Sequence, residues 1–212
     1  MLRTSPDPAT IEGETIAMSN RLIGIAAGML GLLAAPAFAG WQEQATAADQ
    51  QRLARLEEAR ARGMSEAQSG GDMGAINQAL GAPSQGAGAG AFSGTWRCRQ
   101  LKLGGATPSI VYKWFTCRIS HRDGHLYFAK VTGTQKTQGW LYPDGDTFVY
   151  LGASSARGEP PHAYSGNGAS LGANQTPDDQ IGRLSMIGAG HARLELPYPV
   201  QESTFDVIEL RR

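Results

Sequence analysis

The chain has 212 residues with 19 Lys or Arg and 19 Asp or Glu, so its formal net charge is zero. It lacks the basic excess that gives a protein affinity for polyphosphates, which argues against nucleic acid as a partner. The length from residue 40 onward suffices for one domain with its own hydrophobic core.

Residues 18–39 have the three parts of a secretory signal peptide. Arg21 supplies the positive charge, residues 22–33 form the apolar run, and Ala37-Phe38-Ala39 is a small-x-small cleavage site. We expect cleavage after Ala39 and export to the periplasm. The apolar run is shorter than the roughly 20 residues of a membrane-spanning helix, so no transmembrane anchor is expected after cleavage.

Residues 1–17 differ from a signal peptide, because they contain acidic residues and two prolines. Met18 stands directly before a conventional signal sequence. We therefore interpret residues 1–17 as a mis-annotated start and expect translation to begin at Met18.

Residues 40–81 are predicted to form a helical segment. One helix is expected from Thr46 to Arg62, with Thr46 as its cap and Gly63 as its end, and a shorter one over residues 73–80. Residues 82–92 consist mostly of Gly, Ala, Pro, Ser and Gln, a composition typical of a flexible linker.

Residues 93–212 have the alternating pattern and turn signals of a β domain. Short strands separated by signals such as Asp123-Gly124 predict a mainly β fold, an antiparallel eight-stranded barrel-like or strongly curved sheet. The strands are expected near 95–103, 110–120, 125–132, 137–142, 147–151, 181–187, 191–196 and 204–210. A long loop at 152–180 interrupts the series, which is typical of a functional or disordered segment.

Cys98 and Cys117 are the two cysteines of the chain, and we expect them to form a disulfide. A hairpin of residues 95–103 and 110–120 places them directly opposite each other if Trp96 faces Ile119. Because side chains alternate along a strand, the cysteines then share the core face with Trp96. The disulfide would staple the β domain.

The same hairpin places Arg97, Arg99 and Arg118 on its outer face. Guanidinium groups bind anions and carboxylates with two hydrogen bonds, so this face is a candidate anion or partner surface. The alternative is an ordinary basic face paired with Asp206 or Glu209 of the last strand.

Aromatic residues are concentrated in the strands and are candidates for a ligand pocket or for plain core packing. The candidates are Trp96, Trp114, Trp140 and Tyr150. His121 and His125 flank one turn, but no further ligand is apparent beside them, so we predict no metal site and no cofactor.

The sequence contains no catalytic motif of a hydrolase or nucleotide-binding enzyme, and no catalytic residue is assigned. A triad assembled in space around the long loop remains an alternative. It would require Ser154 or Ser155 near His162 or His191.

Two segments together resemble the bacterial family called domain of unknown function 4893. They are Gly94-Thr95-Trp96-Arg97-Cys98-Arg99-Gln100-Leu101-Lys102-Leu103-Gly104 and Tyr112-Lys113-Trp114-Phe115-Thr116-Cys117-Arg118-Ile119. Residues 132–143 resemble the next conserved stretch of that family, with Thr134 and Lys136 departing from its pattern. The resemblance implies an exported envelope protein and no particular activity.

Gly94-Thr95-Trp96 also resembles the start of lipocalin-like barrels, including bacterial protease inhibitors. Our leading hypothesis is a non-enzymatic binding or interaction module that recognises an envelope protein or a small molecule. The alternatives are a lipocalin-like small-ligand binder or protease inhibitor, and a cryptic hydrolase. An apolar cavity would favour the lipocalin-like ligand binder, whereas an interior filled by Trp96 and its neighbours would favour the interaction module.

Overall fold

A computed structural model of the protein describes residues 40–166 and 178–212. The expected start at Met18, the signal peptide and part of the long loop lie outside the described residues. Five short helices come first, α1 Trp41–Gln44, α2 Ala47–Ala54, α3 Leu56–Ala67, α4 Met73–Leu80 and α5 Ala89–Phe92. Within the described ranges, no helix is long and apolar enough to cross a membrane.

Nine antiparallel strands follow and form one sheet. They are β1 Gly94–Leu103, β2 Ser109–Val111, β3 Phe115–Arg122, β4 His125–Lys130, β5 Lys136–Asp144, β6 Thr147–Ser155, β7 Asp179–Gly188, β8 His191–Pro197 and β9 Phe205–Arg211. The order is β2-β1-β3-β4-β5-β6-β7-β8-β9, and β9 also pairs with β1. Eight strands therefore close into a barrel, with β2 as an extra strand, which confirms the predicted fold class.

The Asp123-Gly124 turn explains one of the two-residue connections of the barrel. Arg122 pairs with His125, so only two residues link β3 to β4. Asp123 has φ 46° and Gly124 φ 81°, and positive φ at both central residues is the requirement of a type I′ turn. The sequence signal at this position is confirmed.

The predicted register of the first hairpin is wrong by two residues. Cys98 lies opposite Phe115, and Cys117 lies opposite Trp96, instead of the two cysteines facing each other. The chain reverses earlier than expected, because it turns through residues 104–108 and Leu103 pairs with Ser109.

A displacement of two residues leaves every side chain on its predicted face. Trp96, Cys98 and Cys117 are therefore buried inside the barrel, as expected. The cysteines are diagonal neighbours with a Cα–Cα distance of 5.8 Å, and the Cys98–Cys117 disulfide is formed.

One end of the barrel is filled by aromatic side chains. Phe92 of α5 is fully buried there, and its ring meets the Phe148 ring edge-on at 5.3 Å. The Trp96 indole Nε1 donates to the Phe92 carbonyl oxygen at 2.7 Å. We call this end of the barrel, where β1 begins at Gly94, the closed end.

The helices pack on the outer face of the barrel. Leu56 and Ile76 are buried against Leu101 and Phe205, which point outward from β1 and β9. Gly63 lies inside α3, whereas the sequence placed it at a helix end. A Cβ on this glycine would stand 2.7 Å from the Phe205 Cβ, so Gly63 allows the helix to approach the strands closely.

The predicted helix 46–62 begins as expected but is interrupted. The Asp49 amide donates to Thr46 Oγ1 at 3.0 Å, which confirms the predicted cap. Arg55 then leaves the helical conformation, with φ −100° and ψ 22°, and separates α2 from α3. The helix after this break, α3, extends to Ala67.

Residues 82–92, expected as a flexible linker, make ordered contacts with the barrel. Arg193, which is 2% exposed, donates from Nη1 to the carbonyl oxygens of Leu80 at 3.2 Å and Ala82 at 2.7 Å. The Gln85 amide donates to the Met186 carbonyl oxygen at 2.7 Å. The composition indicated flexibility, but these hydrogen bonds hold the segment on the sheet.

We expect the Cys98→Ser and Cys117→Ser double variant to lose roughly 3 kcal/mol of unfolding free energy, because the loop-entropy account credits about that much to a loop of this size. Urea unfolding under non-reducing conditions measures the difference. Ser93→Ala, a substitution beside the same hairpin that keeps both cysteines, serves as a control. An unchanged unfolding midpoint of the wild type after reduction would contradict the expectation.

Candidate functional site

The barrel interior changes from apolar to polar along its axis. On β1, the inward positions run from Trp96 and Cys98 to Gln100 and Lys102, because side chains alternate along a strand. On β9, the inward residue at the same level is Asp206, which accepts a hydrogen bond from Gln100. The end opposite the closed end is therefore lined by polar and charged groups, and we call it the mouth.

The mouth contains a cavity of about 130 Å³ that opens to solvent. This size admits several waters or a small molecule. Its lining residues are Gln100, Lys102, Gln135, Thr137, Ser154, Ser155, Ala156, Asp178, Asp179, Gln180, Pro199, Val200, Gln201, Glu202 and Asp206. Nearly all of them are polar or charged, so the mouth suits a polar ligand rather than an apolar one.

Tyr150 separates the apolar interior from the mouth. It is fully buried, and its hydroxyl lies 3.5 Å from Gln180 Oε1, a residue of the mouth. Gly139 and Gly152 leave room for its ring, because a Cβ on either would stand 2.7 Å or less from Tyr150 side-chain atoms. Two glycines on paired strands thus allow the phenol to lie next to Gln180, at the boundary between the apolar interior and the mouth.

Asp206 is a buried carboxylic acid in the wall of the mouth, 3% exposed. It accepts hydrogen bonds from Gln100 Nε2 at 2.9 Å and from Ser203 Oγ at 2.5 Å. Burial raises its pKa to about 6, although these hydrogen bonds and the charge of Lys102 act in the opposite direction. This carboxyl group therefore changes charge at mildly acidic pH.

Residues 198–204 link β8 to β9 across the rim of the mouth. Lys102 reaches this segment through an ion pair with Glu202. Burial alone lowers the pKa of Lys102, but the hydrogen bond with Glu202 and the charge of Asp206 outweigh it and raise the pKa. Thr204 Oγ1 donates to Glu66 of α3 at 2.6 Å, so the segment is also fixed from the helical side.

Lys130 is a second buried cation on the rim of the mouth. It is 7% exposed and lines a smaller cavity of about 50 Å³ that shares Gln100 and Gln135 with the mouth. Its ammonium donates to the Gln135 carbonyl oxygen at 2.6 Å and lies 4.1 Å from the Phe115 ring centroid. Burial lowers its pKa to about 8, with a smaller contribution from the charge of Lys136.

Two of the four residues considered for a catalytic triad, Ser154 and His162, meet at one carboxylate. Ser154 Oγ donates to Asp178 Oδ1 at 3.3 Å, and His162 Nδ1 lies 3.3 Å from Asp178 Oδ2. The acid thus stands between the serine and the imidazole, whereas a nucleophilic serine requires the imidazole beside it. His191 is elsewhere, with Nε2 2.9 Å from Glu209 Oε1.

The three arginines of the predicted anion face lie on the outer surface, away from the mouth. Arg99 forms an ion pair with Glu209 at 2.6 Å, which is the pairing proposed as the alternative. The Arg97 and Arg99 guanidinium carbons lie 5.1 Å and 4.7 Å from the Trp114 ring centroid. Arg118 is exposed and pairs with Thr95 across the strands.

The four predicted aromatic residues fall into three environments. Trp96 and Tyr150 are buried inside the barrel, and Trp114 lies under the arginines. Trp140 lies on the outer face, where its ring meets the Tyr127 ring edge-on at 4.9 Å. It lines a groove of about 90 Å³ together with Tyr142 and Tyr164.

His125, considered for a metal site with His121, packs against this aromatic group, with ring centroids 5.3 Å apart from Tyr142. Within residues 40–166 and 178–212, no group of three or more His, Cys, Asp or Glu residues is arranged to hold a metal ion.

Sequence reasoning missed the polar residues of the mouth, above all Gln100, Lys102, Lys130 and Asp206. The signal was present, because Gln100 and Lys102 have the same inward parity as Trp96. A lysine in a core position of a strand is unusual enough to suggest a polar interior.

A family model described as "Domain of unknown function (DUF4893)" matches residues 41–210, most of the chain. No curated protein and no solved structure gives a significant match.

Protonation of Asp206 is expected to stabilise the folded protein. Its folded pKa of about 6 lies above the ordinary 3.8, so the folded state binds the proton more tightly. Stability from this group is therefore full below pH 4 and is lost as pH rises to about 6, by roughly 3 kcal/mol.

Urea unfolding of the wild type and of Asp206→Asn between pH 4 and pH 7 isolates this contribution. The difference between the unfolding free energies of the two proteins should change across this pH range. Asp123→Asn, at an exposed turn, controls for the loss of a surface charge. A difference that stays constant with pH would contradict the assignment.

Proposed function

The chain belongs to the DUF4893 family, and because the description of that family names no activity, we propose a function from the geometry of the mouth. The protein is a non-enzymatic binding module of the bacterial envelope, and its ligand is a small polar molecule held in the mouth. The observation that carries this proposal is the polar cavity at the mouth, which contrasts with the filled apolar interior at the other end of the barrel.

The contrast between the two ends of the barrel supports a polar ligand. The closed end is filled by Phe92, Trp96 and Phe148, so an apolar molecule has no space there. At the mouth, amide, hydroxyl, ammonium and carboxyl groups converge on one small cavity, as in sites that orient polar ligands. A lipocalin-like binder of lipophilic molecules would need the opposite distribution.

The hydrogen bonds around Asp178 support binding rather than hydrolysis. Ser154 donates to this carboxylate, so its hydroxyl proton already has an acceptor that is not a histidine. A general base within hydrogen-bond distance of the nucleophile is the first requirement of serine catalysis. Asp178 and Ser154 are better interpreted as a hydrogen-bonding wall of the ligand site.

Protease inhibition by an N-terminal segment is less well supported than ligand binding. Such a mechanism needs a segment that is free to enter a protease cleft. In the described part of the chain, the residues before β1 are instead packed on the barrel, with Leu53, Ile76 and Phe92 buried.

Export is the second part of the proposal, and the Cys98–Cys117 disulfide supports it. Disulfides persist in oxidising compartments such as the periplasm and are rare in the cytosol. The signal-like residues 18–39 are consistent with the same route.

We expect a screen of amino acids, hydroxy acids and sugars by thermal shift and NMR to find a ligand of the mouth. Gln180→Leu removes a polar group beside the Tyr150 hydroxyl, and loss of one hydrogen bond should weaken binding about tenfold. Gln138→Leu, on the outer face of β5, is the matched control. A ligand with unchanged affinity for Gln180→Leu, or the absence of any binder, would refute the site.

We also expect the exported protein to begin at Gly40. The full chain is expressed in a Gram-negative host, released by osmotic shock, and its intact mass is measured. The expected mass is that of residues 40–212 minus two hydrogens for the disulfide. A cytoplasmic, uncleaved product would contradict the export proposal.

A further inference from the structure

We propose that Lys130 is the counter-ion for a carboxylate group of the ligand, so that the mouth binds a small carboxylate-bearing molecule. This inference rests on the proposed binding function and names the chemical class of its ligand. It starts from a buried ammonium group that has no carboxylate within 4 Å among residues 40–166 and 178–212.

The ammonium of Lys130 has unused hydrogen-bonding capacity. An ammonium group offers three N–H donors, and in the described part of the chain one hydrogen bond of Lys130 is found, to the Gln135 carbonyl oxygen. No described carboxylate lies within 4 Å of its nitrogen, although twelve such ion pairs occur elsewhere in the described residues.

Burial makes this situation costly for the protein. A charge that is removed from water without a counter-ion destabilises the fold, and the lowered pKa of Lys130 reflects that cost. The Phe115 ring compensates only in part, because the face of an aromatic ring carries a partial negative charge and does not replace a counter-ion. An anion beside Lys130 would remove the remaining cost.

The other buried lysine of the mouth provides an internal comparison. Lys102 is 8% exposed, close to the 7% of Lys130, but it forms an ion pair with Glu202. Its pKa is raised, whereas that of Lys130 is lowered. Two lysines of similar burial thus differ: Lys102 has a carboxylate partner, and Lys130 has none among the described residues and is available to an external anion.

The surroundings of Lys130 contain further donors and space. Its cavity of about 50 Å³ is lined by Gln100, Tyr112, Phe115, Thr134 and Gln135, and it adjoins the mouth through the two glutamines. The amide and hydroxyl groups are able to donate to carboxylate oxygens. When the anionic group of a ligand binds at Lys130, the rest of the ligand therefore lies in the larger cavity of the mouth.

A single charge favours a carboxylate over a phosphate. One ammonium neutralises one negative charge, and a phosphate dianion would keep a second charge in a partly buried site. The mouth is also lined by four acidic residues, Asp178, Asp179, Glu202 and Asp206, which repel additional negative charge. The geometry thus points to a monocarboxylate whose remaining part is neutral or positively charged.

The direct test uses acetate as the probe and the wild-type protein. The pKa of Lys130 is measured from its side-chain ¹³Cε resonance, with and without acetate. At an acetate concentration ten times the measured Kd, this pKa should rise by about one pH unit, because the anion binds the charged form. An acetate-independent pKa for Lys130 would overturn the inference, and so would tighter binding of inorganic phosphate at pH 7.

Variants provide the second test. Lys130→Met should abolish saturable acetate binding, whereas Lys136→Met, which removes a neighbouring amine that is only partly buried, should retain it. Folding of both variants is checked by the Tyr and Trp signals in near-UV circular dichroism. Equal acetate affinity of Lys130→Met and wild type would overturn the inference even if both proteins fold.

The outcomes separate this inference from the proposed function. A mouth ligand that binds Lys130→Met as tightly as wild type refutes the carboxylate site and leaves the binding module in place. If acetate binds at Lys130 but no ligand loses affinity in the Gln180→Leu variant, the carboxylate site is supported and the larger site in the mouth is refuted.

Discussion

Closure of the sheet by the β1–β9 pairing is the constraint on which the rest of the structure depends. It runs over seven residue pairs, from Arg97↔Arg211 to Leu103↔Phe205. Closure removes both edges of the sheet and turns strand alternation into an inside and an outside. The outside of β1 and β9 is then free to bind helices, and the inside holds both the packed core and the mouth.

The helical part completes the barrel and is not a separate appendage. Phe92 fills the closed end, Ile76 and Leu56 cover apolar strand residues, and Arg193 holds the segment that joins α4 to α5. Arg60 forms an ion pair with Glu195, itself 1% exposed, and so supplies charge compensation from α3 to a buried carboxylate of β8. Removal of the helices would expose both apolar surface and buried charge.

The mouth differs from the apolar surfaces that the helices cover, because there the fold retains buried polar groups at an energetic cost. Asp206 and Lys130 both have pKa values displaced toward the neutral form by burial. Stable folding alone would favour apolar residues at these positions. Costs of this kind are concentrated at functional sites, which is why the mouth, and not the arginine face, is the site we propose.

The fold class, the disulfide, the faces of the first hairpin and most strand positions were determined by the sequence alone, because period-two alternation and Asp-Gly turn chemistry are local signals. The predicted strand 110–120 is divided into β2 and β3, and the predicted loop 152–180 is shorter than expected, because β6 extends to Ser155 and β7 begins at Asp179. The hairpin register was not, since the position of the turn within residues 104–108 depends on backbone geometry that composition does not specify. The order in residues 82–92 and the internal position of Gly63 depend on contacts with β7, β8 and β9, far away in the chain. The location of the site depends on closure of the barrel. Gln100 and Lys102 lie on the first strand and Asp206 lies on the last, so they face the same cavity only because β9 pairs with β1.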